Sequence, residues 1–469
     1  MILNRLFVNN SGRFSLKLIV HVGRQYGVGP TLNCRYQSTE RVVILGTGWA
    51  GFNLARNLNE DINLTVISPS NHFVFTPLLP STAVGTLEFR CIQEPVRTVL
   101  GPKGQYVQAK ARSLDTENKV LKCESIHDNK QFDVKYDKLV LSVGVKTNTF
   151  GIQSIKEGDG VFFLKNLFHA RNIRNNIIDC FEKAAIPGTL SAEKDRILSF
   201  VVVGGGPTSC EFVAELYDFV TNDVTRLYKD LLPHVRVTLV EAGPALLGPF
   251  DVSLQNYTRG LFEKRNVDVR VKCAVTGIED FEQEGFRFPA RRAVLSDGTK
   301  LNFGTMVWSA GLAPVKFTGG LGDDIERMRN GRIIVDDYLR VKGHEGSIWA
   351  MGDCAANEVD PLPQLAQVAR QHGLYLAKVL NGKLGESKKK FEFQFMGSLA
   401  ALGDFKGVYD GSHVGKRGEE IDVPKLTGLM ALLMWRFAYW GRQTSLANKI
   451  LIPMHWLKSW LFGRDISRF

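Results

Sequence analysis

The chain has 469 residues, 44% of them hydrophobic and 23% charged, with a formal net charge of +11. That length calls for two or three domains with sizeable cores, the charge fraction and 29 Phe argue against disorder, and no apolar run reaches the roughly 18 residues of a spanning helix, which argues against a polytopic membrane protein. Seven scattered cysteines without a C-x-x-C pair argue against a disulfide framework or a cysteine-rich zinc site.

In chain order, residues 1–39 stand apart. They carry Arg5, Arg13, Lys17, Arg24 and Arg35 among apolar residues, and no acid precedes Glu40. An arginine-rich, acid-free, amphipathic start reads as a mitochondrial transit peptide, so folding is expected to begin near residue 40. A continuous apolar strand over 42–45 is of the kind buried in a parallel sheet. Gly46-Thr47-Gly48-Trp49-Ala50-Gly51 follows, then a helix over 52–58 and a strand over 64–67, completing a βαβ unit. Residues 90–145 alternate in short stretches, and 165–184 is helical. The pattern then recurs: a strand over 198–203, Gly204-Gly205-Gly206-Pro207-Thr208-Ser209, and a helix to 216. After an insertion over 217–233, a strand over 235–240 ends in Glu241. Two further strands lie within 331–351, and a helix runs over 365–379.

Glycines spaced this way after a buried strand serve phosphate binding. The first permits a tight turn, the second lets backbone approach a pyrophosphate, and the third lets the helix pack closely with its N-terminus toward the phosphates. Gly46, Gly48 and Gly51 form one such loop, with Ser68 standing where an acid that binds a ribose is expected. Gly204, Gly205 and Gly206 form the second, with Ser209 in place of its last glycine. Here the acid is present: Glu241 would accept from a ribose 2′-OH and repel a 2′-phosphate, favouring NADH over NADPH. Two dinucleotide sites imply a flavin held by one and a nicotinamide arriving on the other. The expected fold class is α/β with two Rossmann-like domains.

Five motifs then resemble one family in its own order. They are the loop at 46–51, Asn71-His72-Phe73-Val74-Phe75-Thr76-Pro77-Leu78-Leu79-Pro80, the loop at 204–208 with Glu211, Gly352-Asp353-Cys354-Ala355, and Ala366-Gln367-Val368-Ala369-Arg370-Gln371. Together they resemble the mitochondrial type II NADH dehydrogenases, single-subunit NADH:quinone oxidoreductases that pump no protons. The resemblance implies FAD-dependent oxidation of NADH and two-electron reduction of ubiquinone. It implies that Gly46, Gly48 and Gly51 cradle the FAD pyrophosphate, that Asp353 binds its ribityl and phosphate side, and that Thr76 and Pro77 lie near the isoalloxazine. Gly204, Gly205, Gly206 and Glu241 would hold NADH, and Glu211 would act near the nicotinamide. Gln367 and Gln371, four apart on one helical face, could bond quinone carbonyls, or else satisfy local backbone. A sulfide:quinone reductase, which needs a cysteine pair at the flavin, and an apoptosis-inducing-factor-like oxidoreductase remain alternatives. No metal is expected, since no D-x-D-x-D-G calcium loop is present.

Residues 425–469 change character, combining Trp435, Phe437, Trp440, Trp456 and Trp460 with Arg436, Lys449 and Lys458. Met454, Leu457 and Leu461 recur at helical spacing, and Pro453 suits a helix start. Basic, Trp-rich amphipathic helices lie in the membrane interface, so a peripheral site on the mitochondrial inner membrane is expected, where a lipid-soluble quinone arrives. Dimerisation is a second use for such helices, and a homodimer is expected. The anticipated division is an FAD domain over 40–155 and 312–424, an NADH domain over 156–311 and a membrane tail over 425–469. Both ends are basic: 1–39 holds five basic residues and no acid, and 425–469 holds seven against one, leaving 47 of each sign between. A neutral body argues against nucleic acid as a partner.

Overall fold

A computed structural model describes residues 39–382, 389–416, 418–421 and 423–468, so the transit peptide anticipated over 1–39 lies, but for its last position, outside the described residues. The chain first supplies β1 (Arg41–Leu45), α1 (Trp49–Asn57), β2 (Asn63–Ser68), β3 (Gly104–Asp115), β4 (Val120–Ser125), β5 (Gln131–Lys135) and β6 (Lys138–Leu141). Next come β7 (Val161–Phe163), α2 (Leu167–Ala185), β8 (Ser199–Val203), α3 (Pro207–Phe219), β9 (Arg236–Val240), β10 (Asp268–Arg270) and β11 (Thr305–Trp308). The last part gives β12 (Ile348–Ala350), α4 (Ala366–Leu380), β13 (Ser398–Ala401), β14 (Gly407–Asp410), β15 (Leu426–Thr427), α5 (Gly428–Gly441) and α6 (Leu446–Phe462).

The first sheet has seven strands in the order β12-β6-β1-β2-β3-β4-β5. Its first five run parallel, with Val42 opposite both Leu64 and Lys138, and β3, β4 and β5 close it as an antiparallel meander. The last four residues of β1 are buried, as expected of a parallel strand covered on both faces. The second sheet is wholly parallel, in the order β7-β11-β8-β9-β10. β12 follows the second sheet in sequence yet joins the first.

The C-terminal segment is not a detachable tail. β15 completes an antiparallel sheet with β13 and β14, so the break expected at 424 falls inside one module. Leu432 and Trp435 of α5 and Ile452 of α6 are buried in the main core. Pro453 does not begin a helix either. Ser445 caps α6, accepting from Asn448 N, and Pro453 lies mid-helix. A proline has no N–H to offer the carbonyl four residues back. The Trp440 indole supplies one instead, donating to Lys449 O at 2.7 Å, which lets the helix continue.

Candidate flavin and nicotinamide site

At the first loop Gly46 adopts φ +107°, and a Cβ there would lie 2.3 Å from the Ser142 carbonyl oxygen. A Cβ on Gly51 would lie 2.1 Å from the Gly46 carbonyl, whereas nothing stands within 4 Å of Gly48. The turn is thus pinned on two sides and open at the position where a pyrophosphate approaches. No side chain caps α1, whose N-cap is Gly48, so its first N–H groups stay available to an anion. Ser68 is buried, and its hydroxyl accepts from Thr47 Oγ1 at 2.9 Å and from Ser70 N at 3.3 Å. Through these two bonds it supports the turn from behind.

The second loop is built alike, with Gly206 as an uncapped N-cap and Pro207 at the first position of α3. Ser209, in place of a third glycine, shares a 2.6 Å hydrogen bond with Ser309, just beyond β11. Glu241 sits at the carboxyl end of β9 and folds over the loop. Its two oxygens accept from the backbone N–H groups of Gly205 and Gly243. A Cβ on Gly205 would lie 2.7 Å from Glu241 Cγ, so glycine is what admits this carboxylate. A carboxylate has further lone pairs for a ribose hydroxyl.

Asp353 lies just past β12, at the carboxyl edge where ligands of parallel sheets bind. Burial pushes its carboxyl up from the ordinary range, an effect partly offset by Lys165 and Arg332. Its backbone carbonyl accepts from Gln364 Nε2 at 2.9 Å, while its carboxylate receives no hydrogen bond from another described residue. Thr76 and Pro77 open a short turn whose position is set by the first loop itself: Trp49 donates from Nε1 to Thr76 Oγ1 at 2.9 Å and packs on Phe73 and Phe75. Behind the site His372 is buried and, with its pKa lowered to about 3 by desolvation, neutral; its Nδ1 accepts from Gly352 N at 3.0 Å.

Glu211 lies in the second turn of α3 and is buried. Its Oε1 accepts from Trp435 Nε1 at 2.7 Å and from Ala401 N at 3.1 Å. Desolvation raises its pKa to about 8, against these two hydrogen bonds, so the carboxyl is mostly protonated at neutral pH. Gln367 and Gln371 do share one face of α4, but both amides are engaged. Gln371 donates to Gln394 O at 2.8 Å and accepts from Gln394 N at 3.0 Å, and Gln367 accepts from Met396 N at 3.1 Å and donates to Gly397 O at 3.4 Å. They stitch α4 to the segment 394–397, each amide spending one N–H and one acceptor bond on backbone. Cys354 is buried with its pKa raised to about 11 by desolvation, and its thiol faces the carbonyls of Leu141 and Met351. No second thiol pairs with it among the described residues. The partners of Trp49 and Trp435, and Lys165 altogether, escaped the sequence reading: an indole's acceptor is set by the fold, and a single lysine before a helix carries no spacing signal.

An open glycine cradle, an uncapped helix start and a part-buried carboxylate that receives no hydrogen bond from another described residue fit FAD, and the second loop with its acid fits NADH. These parts define a flavoprotein oxidoreductase with two dinucleotide sites. Residues 40–373 match the family described as pyridine nucleotide-disulphide oxidoreductase, and residues 395–465 match the NDH2 C-terminal domain. The chain belongs to the type II NADH dehydrogenases. It is 41% identical to a probable NADH dehydrogenase of Dictyostelium discoideum, over 92% of this chain and 91% of that one. It is 35% identical to the mitochondrial internal alternative NAD(P)H-ubiquinone oxidoreductase A1 of Arabidopsis thaliana, over 95% and 88%. The structure of NDH2 from Plasmodium falciparum in complex with NADH superposes with a TM-score of 0.82 at 26% identity, over 92% of this chain and all of that one.

Proposed function

We infer that the chain oxidises NADH on bound FAD and passes two electrons to ubiquinone at the mitochondrial inner membrane. The observation that carries this reading is the pairing of two glycine loops, each at the carboxyl edge of a parallel sheet, with a C-terminal module that joins them to an apolar surface. FAD supplies the two-electron chemistry. Gly46, Gly48, Gly51 and Asp353 hold it, Trp49 fixes Thr76 and Pro77 beside it, and Gly204, Gly205, Gly206 and Glu241 hold NADH. Catalysis by these side chains is chiefly positioning. Gln367 and Gln371 act by fixing segment 394–397, and Glu211 bonds the C-terminal module directly through Trp435 and Ala401. A sulfide:quinone reductase is disfavoured, because the Cys354 thiol is buried and pairs with no other cysteine among the described residues.

Membrane contact is assigned to α5 and α6. No helix among the described residues is long and apolar enough to cross a membrane. Yet Phe437, Trp460 and Phe462 are 67%, 67% and 72% exposed, alongside Met430, Met454, Leu457 and Leu461. Such an apolar face is of the kind that lies in a lipid interface. Self-association into a homodimer is placed on the same two helices, and light scattering in detergent distinguishes one copy from two. The reading is tested by NADH oxidation with and without a ubiquinone analogue in the presence of lipid. Quinone-dependent turnover is expected, and turnover driven by sulfide without NADH would replace it.

A further inference from the structure

The turn Thr76–Leu78 runs directly into a short helix, Leu79–Ala83, which packs on α2 and α3. Ser81 and Thr86 close the loop that follows: the Ser81 carbonyl accepts from the backbone N–H groups of Thr86 at 2.9 Å and Leu87 at 3.2 Å. Both hydroxyls donate to one carboxylate, Ser81 Oγ to Glu215 Oε1 and Thr86 Oγ1 to Glu215 Oε2, each at 2.6 Å. Arg464, beyond α6, completes the cluster by pairing with Glu215 at 3.3 Å and donating to Thr86 Oγ1 at 2.8 Å. The Glu215 and Arg464 side chains are 17% and 7% exposed, so water competes little for these bonds. Short hydrogen bonds to a carboxylate are the strong kind.

Glu215 lies on α3, the helix that starts at the NADH loop. Its partners are Ser81, Thr86 and Arg464, none of them in either glycine loop. The other end of the segment is fixed by Trp49, the first residue of the helix that starts at the FAD loop, through its bond to Thr76. Residues 76–86 therefore carry one anchor to each dinucleotide loop. An α-helix rises about 1.5 Å per residue, so Glu215 stands roughly 12 Å along α3 from Pro207. The carboxylate thus makes a rigid helix the spacer between the NADH loop and the flavin-side turn. Hydride passes from NADH to flavin only when the reacting atoms lie about 3–3.5 Å apart, and a displacement of about 1 Å can cost roughly a hundredfold in rate.

We propose that Glu215 is a positioning residue for hydride transfer, clamping the flavin-side segment 76–86 to the helix that carries the NADH loop. The inference rests on the flavoprotein reading above. The test compares FAD-loaded wild type, Glu215→Ala and Glu215→Gln by anaerobic stopped flow, following flavin bleaching against NADH concentration. Glu215→Ala should lower the limiting bleaching rate by roughly tenfold or more, because the ring loses its register with the nicotinamide. Its apparent Kd for NADH should stay within about twofold of wild type, since the glycine loops and Glu241 are untouched. Glu215→Gln keeps an acceptor for Ser81 and should recover part of the lost rate. Where Glu215→Ala fails to fold, Ser81→Ala takes its place; it removes one of the two bonds, leaves the charge pair, and should slow bleaching by about threefold or more. A limiting rate equal to wild type at full FAD occupancy, even with a lowered Tm, overturns the proposal. A loss shared equally between NADH binding and bleaching overturns it too. Wild-type protein that folds but holds no FAD would instead overturn the flavoprotein reading, and absorbance shows this before any variant is compared.

Discussion

Trp435 donates its indole N–H to the Glu211 carboxyl at 2.7 Å, and both side chains are buried. The bond ties α5, whose opposite face is apolar and exposed, to the helix that begins at the NADH loop. The Trp435 ring also packs edge-on against Tyr439 at 4.8 Å and lies 6.2 Å from Trp456, so the contact belongs to a packed aromatic cluster. The surface assigned to lipid is thus one side chain away from a protonated acid inside the enzyme.

Trp435→Phe keeps most of the apolar contact and removes one of the two donors to Glu211. Leaving a buried acceptor short of a partner costs about 1–3 kcal/mol. The lost donor favoured the ionised form, so the Glu211 pKa should move above its present value of about 8. Thermal midpoints recorded against pH check both effects. A variant matching wild type at every pH would show the bond to be incidental.

Glu211→Gln addresses the same acid from the other side. The folded-state pKa of about 8 lies above the ordinary 4.5, so the native protein holds a proton that the unfolded chain releases. That stabilisation is fully present below about pH 4.5 and is lost as pH rises through about 8. Glu215 on the same helix adds repulsion, and Arg464 and Arg436 face Glu215 from the C-terminal segments. Glutamine carries no titrating proton, so its stability should decline less between those limits. A wild-type slope in the variant would remove Glu211 from the account.

Glu241→Ala should raise the KM for NADH and narrow the preference over NADPH by roughly tenfold in kcat/KM. The carboxylate both presents acceptors to a ribose and opposes a 2′-phosphate. An unchanged NADH to NADPH ratio would place cofactor choice elsewhere.

Arg464 reaches three elements at once. It pairs with Asp223 at 3.0 Å and Glu215 at 3.3 Å and donates to Thr86 Oγ1 at 2.8 Å. Its side chain is only 7% exposed and that of Asp223 1%, so Arg464→Met should cost about 3–5 kcal/mol by stranding buried charge. Removal of 425–469 should therefore unfold the body instead of freeing it from lipid. A cleaner probe of the surface is the pair Phe437→Ser and Trp460→Ser, which should weaken liposome cosedimentation at an unchanged Tm. Retained sedimentation would move the lipid contact to another face.

The two dinucleotide loops were legible because their glycines follow apolar strands at a fixed spacing, and the returning strand of the first domain was marked by Gly352-Asp353. Glu241 could be read as well, since an acid at a strand end has a defined place in the motif. Tertiary partners were not legible. Gln367 and Gln371 show the expected helical spacing, yet whether an amide meets quinone or backbone depends on segment 394–397, which reaches them only through folding. Pro453 carries the signal of a helix start, and only the Trp440 indole on a neighbouring helix lets it lie within one. The amphipathic C-terminus was visible as a composition, whereas its buried half, with Trp435 and Arg464, needed the sheet and helices it packs against.

The central claim is that one chain accepts electrons from NADH on FAD and passes them to ubiquinone. Anaerobic titration of the purified, lipid-supplemented protein tests it most directly. The account predicts a flavin absorbance band that one equivalent of NADH bleaches and one equivalent of a ubiquinone analogue restores. A band that NADH leaves unchanged, or that ubiquinone does not restore, would contradict it.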